Sequence, residues 1–214
     1  MNIDSFRRLA RRLGLKIVQV YRRPHVTDFL PPKQLSGVEF RLLTREELAK
    51  YAVDEANQLP TEFVQSALAK GDVSIGAIRH GALLGYTWWT NHPGCEEGGR
   101  IIVKIAPTEN YGYKGFVRPE YRGQGIYDAL VFACGQTFID MGRTHTTYVV
   151  GMANFANLKV QKKVGVKPVG IAGYARIFGH YLTFRTPGTR AIGFRFSSFP
   201  HSKDGSPPSG KPSS

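Results

Sequence analysis

Phe116-Val-Arg-Pro-Glu-Tyr-Arg-Gly-Gln-Gly-Ile-Tyr-Asp-Ala-Leu130 reads as the end of a strand, a tight basic glycine turn and the start of a helix. Upstream, Tyr111 to Val117 is aromatic and β-compatible, and Pro119 ends the run. Downstream, Ile126, Ala129, Leu130, Ala133 and Phe138 recur at roughly helical spacing, and Gly142 is a natural stop after Met141. Arg122, Gly123 and Gly125 therefore sit where a helix begins. The first N–H groups of a helix have no intrahelical partner, and its dipole favours negative charge there. Glycines let the chain turn sharply and let a phosphate approach the backbone, and Arg122 adds a charge-assisted contact. The stretch reads as a pyrophosphate cradle.

A dinucleotide fingerprint would need a third glycine at position 128, where Asp128 stands. No Gly-Lys-Ser/Thr follows, so a nucleoside-triphosphate loop is excluded. The remaining Arg-Gly-x-Gly-Ile turn resembles the GNAT superfamily of acyl-CoA-dependent N-acyltransferases. That family carries Gln/Arg-x-x-Gly-x-Gly/Ala between its fourth strand and third helix. A second block, Asn154-Phe-Ala-Asn-Leu-Lys-Val-Gln-Lys-Lys-Val-Gly-Val166, is similar to the family's Asn-x-x-Ala/Ser…Gly-Phe helix. The blocks fall in the family's order with one strand, His145 to Val150, between them, and the resemblance spans about Val38 to Arg185.

The resemblance implies acetyl-CoA, or another acyl-CoA, as co-substrate and a primary amine as acceptor that attacks the thioester directly. It implies that Arg122, Gly123, Gln124, Gly125 and Ile126 hold the pyrophosphate, with Tyr127 beside it. It places Asn154 on the coenzyme and the oxyanion-binding N–H at Phe116 or Val117. It also implies a sheet whose fourth and fifth strands splay apart to admit the pantetheine arm; Gly115, a glycine that weakens regular pairing within a strand, is a candidate bulge near that opening. One position departs from the family. Where many members have a tyrosine that protonates the departing thiolate, this chain has Gln161.

Outward from these blocks, Val38 to Leu43 alternates like a strand, and Thr44-Arg-Glu-Glu47 is a capping box that opens a helix through about Tyr51. Thr61 to Lys70 predicts a second helix, capped by Thr61 and closed by Gly71. Val73 to Arg79 and Ala82 to Thr90 flank His80-Gly81, a hairpin signal. Asn91 to Gly99 reads as a loop, Arg100 to Ile105 and Asn110 to Val117 as strands, and 167–177 and 180–186 as two more. The order predicts an α+β fold, a mixed and mostly antiparallel central sheet flanked by helices, as in GNAT proteins.

With 214 residues the chain can bury one full core, here expected over 38–200. Residues 1–37 are expected to form a basic N-terminal arm and connector: Ser5 to Leu13 reads as a short helix, Ile17 to Tyr21 as a strand, and Pro24, Pro31 and Pro32 as linker punctuation. The Ser/Pro/Gly/Lys-rich residues 201–214 predict a disordered tail. The formal charge of +13 is concentrated near the start of the chain and suits a polyphosphate ligand or an acidic partner, with weak contact of the arm to an anionic surface as one reading. No run of about 18 apolar residues and no apolar leader is present, so a cytoplasmic protein is expected. Cys95 and Cys134 lack metal-ligand spacing, and Cys134 reads as a small core residue.

An amine must lose its proton before it attacks a thioester. Glu109, just before the strand, and Tyr113, on it, are the candidate catalytic groups, and Tyr111 and Tyr148 are further hydroxyls. No metal is expected. Lys159 and Lys163 read as a solvated helix face. Two other functions remain open at this level: a coenzyme-A-binding protein without catalysis, suggested by Gln161, and a basic nucleic-acid-binding protein, against which the aromatics show no RNA-binding pattern.

Overall fold

The computed structural model describes residues 14–25, 35–92, 95–97, 101–163 and 165–198. In chain order the elements are β1 (Lys16–Pro24), β2 (Glu39–Leu42), α1 (Arg45–Ala52), α2 (Thr61–Ala69), β3 (Val73–Arg79), β4 (Ala82–Thr90), β5 (Cys95–Glu97), β6 (Ile101–Lys104) and β7 (Glu109–Val117). There follow α3 (Ile126–Asp140), β8 (His145–Gly151), α4 (Phe155–Lys163), β9 (Gly170–Ile177), β10 (His180–Arg185), α5 (Pro187–Ala191) and β11 (Arg195–Ser198). Eight strands form one sheet in the order β10-β9-β1-β8-β7-β4-β3-β2, and β11-β6-β5 form a second. Only the β7–β8 pair is parallel among the described pairs. The mostly antiparallel α+β architecture predicted from element order is the one adopted.

Local chemistry sets several of these elements. The Thr44 hydroxyl accepts from the Glu47 N–H at 3.2 Å, and the Thr44 N–H donates to Glu47 Oε2 at 3.0 Å, so the capping box of α1 closes both ways. Such a cap stabilises a helix by about 1 kcal/mol. Arg41 donates to both Glu47 oxygens and, with the Thr44 N–H, holds that carboxyl down to about 2. In α2 the expected Thr61 cap is absent: Pro60 stands at the cap with no side-chain bond and Thr61 is the first helical residue. Proline pre-sets the backbone angle there, and burial of Val64 and Ala67 holds the helix.

Two cores lie on one face of the large sheet. Tyr86, Trp88 and Leu83 pack with α1 and α2, while Val18, Val20 and Tyr111 pack with Phe194, Phe196 and Val103 around the second sheet. The third core lies on the other face, where Ile75, Ala77, Leu84 and Trp89 meet Ile126, Leu130 and Phe138 of α3.

Three features differ from expectation. The strand predicted at Ile17 to Tyr21 runs over Lys16–Pro24 inside the sheet, antiparallel to β8 on one side and β9 on the other. Val18 and Val20 are fully buried, so residues 16–24 are integral to the sheet and its edge does not coincide with a boundary at residue 37. Within the predicted loop 91–99, Cys95–Glu97 pairs with β6 as β5, a strand too short to reveal alternation. Residues 187–198 supply α5 and β11, to which no element was assigned. The predicted helix at Ser5 to Leu13 and the tail 201–214 lie outside the described residues. Among the described residues no helix is long and apolar enough to cross a membrane.

Candidate active site

The parallel pairing of β7 with β8 runs from Glu109 opposite His145 to Gly112 opposite Tyr148 and stops there. Beyond it, β7 follows β4 to Val117 and β8 follows β1 to Gly151, so the sheet opens between them. A cavity of about 580 Å³ fills the opening. Its walls include Tyr113, Lys114 and Gly115 of β7, Tyr127 and Asp128 of α3, Tyr148 of β8, and Asn154, Asn157 and Gln161 at α4, with Arg23 and His25 from the end of β1.

Opposite Trp88 and Trp89 the register of β7 slips by one residue: Trp88 pairs with Lys114, but Trp89 pairs with Gly112. Tyr113 is the extra residue of a β-bulge, at the point where the strands part. The bulge falls two residues before Gly115, the glycine expected to mark it. Antiparallel ladders alternate bonded and unbonded positions. Because the Arg118 N–H donates to the Leu84 carbonyl, alternation directs the Phe116 N–H to β4 and those of Gly115 and Val117 to the open side. Of the two N–H groups expected to face a reacting carbonyl, that of Val117 points to the opening and that of Phe116 to β4. The Gly115 N–H joins that of Val117.

The glycine turn precedes α3 as predicted. Gly123 and Gly125 take φ +75° and +83°, and no heavy atom would lie within 4 Å of a Cβ at either position. Gly125 is the cap residue of α3. Open space beside unpartnered first-turn N–H groups is what an anion needs. The Arg122 Nε donates to the Val117 carbonyl and Gln124 to the Glu120 carbonyl, which brace the turn. Residues 122–126 do not line the cavity; Tyr127 and Asp128, next in the chain, do. A Cβ at Gly115 would stand 2.8 Å from Tyr127 Cε2, so the missing side chain on β7 is what admits the Tyr127 ring. Tyr127 is 41% exposed and lines the cavity, and burial raises its phenol pKa.

Facing it, the Tyr148 hydroxyl donates to Gln161 Oε1 at 2.7 Å, and Gln161 Nε2 donates to Asn157 Oδ1 at 3.0 Å. Asn154 caps α4 by accepting from the Asn157 N–H. Tyr148 stacks on Tyr21 with centroids 5.3 Å apart, and burial pushes its hydroxyl well above the ordinary value. The two predicted catalytic groups are not brought together. Glu109 is 1% exposed and is not part of the cavity wall. Arg22 Nε donates to one of its oxygens at 2.7 Å and Thr147 Oγ1 to the other at 2.6 Å, so it ties β1, β7 and β8 together. Tyr113 does reach the cavity, and its hydroxyl donates to Asp72 Oδ2 at 2.9 Å. Asp72 is 6% exposed, and its Oδ1 has no hydrogen-bond partner among the described residues. Cys134 is fully enclosed beside Thr87, and its thiol is pushed up to about 12, the behaviour of an inert core residue.

Solved structures that match at a TM-score of 0.50 include the following two. A Drosophila protein is 16% identical over 86% of this chain and 57% of its own. A tandem GNAT protein from the clavulanic acid biosynthesis pathway is 13% identical over 92% of this chain and 59% of its own. The chain has the GNAT fold. It spans less than two thirds of the length of those two proteins. A GCN5-related N-acetyltransferase from Kribbella flavida is 16% identical over 89% of this chain and 67% of its own, with a TM-score of 0.48. No family sequence model and no curated protein matches the chain.

Against the GNAT turn pattern, Tyr127 stands where the final glycine or alanine is expected. The departure falls at the sixth position of the pattern. Gln161, at the tyrosine position of the GNAT helix, places its amide against the hydroxyl of another cavity tyrosine, Tyr148. That pairing joins β8 to α4, and no motif spacing announces it. Among the described residues no group of His, Cys, Asp and Glu could hold a metal ion.

Proposed function

We propose that the protein is an acyl-CoA-dependent N-acyltransferase, most simply an acetyltransferase, acting on a primary amine. The observation that carries this reading is the divergence of β7 and β8 beyond Gly112 and Tyr148, with a cavity that begins beside the glycine turn of α3. The residues present fit a coenzyme. The space at Gly123 and Gly125 suits a phosphate, the first-turn N–H groups of α3 lack intrahelical acceptors, and the cavity is large enough for a pantetheine arm. When bound, the coenzyme supplies an activated acyl carbon with a thiolate leaving group.

The chain's own groups then have separable tasks. The N–H groups of Gly115 and Val117 face the opening and suit a developing oxyanion. Tyr113 takes the amine's proton while passing its own to Asp72 Oδ2, the acceptor of its hydrogen bond. Tyr148 offers a hydroxyl held protonated by burial, and it turns from Gln161 to assist a departing sulfur. Tyr127 closes the wall between turn and strand.

Thermal melting with coenzyme A and acetyl-CoA, followed by thiol release against an amine panel, tests the reading. Ligand should raise the melting temperature, since it binds only the folded state. Neither a shift nor amine-dependent thiol release would remove it.

A further inference from the structure

The bulge at Tyr113 turns two successive residues of β7 to the face that carries α1 and α2. Phe63 of α2 meets both: its ring centroid is 6.2 Å from that of Tyr113 and 4.0 Å from the Lys114 ammonium. Lys114 Nζ also lies 5.8 Å from the Tyr86 centroid and donates to the Gln58 carbonyl at 3.2 Å. Tyr86 donates to the same carbonyl at 2.9 Å, so the cup is built of two rings and one shared oxygen. Among the described residues no carboxylate lies within ion-pair range of Lys114 Nζ. Rings and a carbonyl hold an ammonium less firmly than water and a carboxylate do, and burial pulls its pKa down, raising the neutral fraction. Lys114 also lines the cavity that Tyr127 and Tyr148 line. A primary amine with no acidic partner among the described residues thus lines the opening.

We propose that Lys114 is a self-acylation site, resting on the acyl-CoA reading above. The neutral Nζ attacks the acyl carbon of the thioester held in the cleft. A C–N bond forms and the C–S bond breaks, with its electron pair leaving on sulfur. The proton lost from Nζ ends on the thiolate, giving an amide and a free thiol. The product replaces the positive charge beside Phe63 and Tyr86 with a neutral amide in the wall of the opening.

The test incubates the full chain with acetyl-CoA and maps acetylated lysines by peptide mass spectrometry over time. Lys114 should be labelled at least about tenfold faster than the exposed Lys50 and Lys159, because it alone is held beside the thioester. Labelling should saturate with acetyl-CoA and be suppressed by excess coenzyme A. Lys114→Arg keeps the charge and Lys114→Met keeps the length; either should abolish that label, and a melt verifies that each folds. Slow, unsaturable labelling spread over surface lysines overturns the proposal. If coenzyme A raises the melting temperature but Lys114 stays unmodified, the self-acylation falls and the acyltransferase reading stands. If there is neither shift nor label, both fall.

Discussion

The Tyr148 hydroxyl donates to Gln161 Oε1 at 2.7 Å, which fixes a cavity phenol from β8 by an amide on α4. Tyr148→Phe removes the hydroxyl and keeps the ring on Tyr21. It should lower turnover about ten- to a hundredfold with little change in acetyl-CoA affinity. Gln161→Leu removes an acceptor from which the hydroxyl must turn in the reaction, and should change turnover by less than about tenfold. Gln161→Tyr forces a larger ring into a 6% exposed position and should lower the melting temperature rather than raise turnover. Steady-state kinetics with parallel melts separates these outcomes, and faster turnover in Gln161→Tyr would count against the assignment.

Glu109 should behave as a sheet anchor. Glu109→Gln replaces a carboxylate that accepts from Arg22 and Thr147 and leaves Arg22 without its counter-charge. The expected loss is about 3 kcal/mol in urea unfolding, with turnover per folded molecule within about twofold of the parent. Intact stability with collapsed turnover would restore Glu109 as a base.

Gly115 and Tyr127 should be coupled. Gly115→Ala places a methyl 2.8 Å from the Tyr127 ring and should cost about 1–3 kcal/mol. In a Tyr127→Ala background the same change should be nearly neutral, because the ring is gone. A double-mutant cycle in urea measures the difference. Additive losses would mean that the ring does not rest on β7.

Stability should fall in mild acid. Burial lowers the His25 pKa, against the opposing hydrogen bond to Asn110, with Arg23 and Glu109 adding smaller and opposite effects. The unfolded chain titrates near 6.5 and so binds the proton first as pH falls. The contribution is therefore fully present above about pH 6.5 and is lost as pH drops through the lower folded value. His145 is shifted the same way by burial, and Glu47, held down to about 2, stays ionised throughout. The melting temperature should drop by a few degrees between about pH 7 and 5, and by less in His25→Asn. A flat profile would remove the prediction.

What the sequence disclosed was local. The glycines at 123 and 125, the Thr44–Glu47 box and the His80-Gly81 hairpin each act within a few residues, where backbone angles and caps are written directly in residue type. Long-range pairings stayed hidden. Nothing near Tyr113 names Asp72, nothing near Tyr148 names Gln161, and the bulge that turns Lys114 towards Phe63 exists only once Trp88 and Trp89 lie alongside. Val18 and Val20 read equally well on a packed arm or inside a sheet, because burial on two faces leaves no mark on five residues.

The place of β1 has a bearing on how the molecule is made. Its partners are His145–Gly151 and Gly170–Ile177, so β1 leaves the ribosome more than a hundred residues before the strands that flank it. Until they arrive, Val18, Val20 and Tyr21 stand open, and the sheet between β8 and β9 has no middle. Contacts this distant in sequence slow folding and lengthen exposure of apolar surface. Nascent chains stalled before residue 145 should therefore be sticky, protease-sensitive and dependent on holding factors, whereas the released chain, with Phe194 and Phe196 packed on Val18 and Val20, should resist digestion.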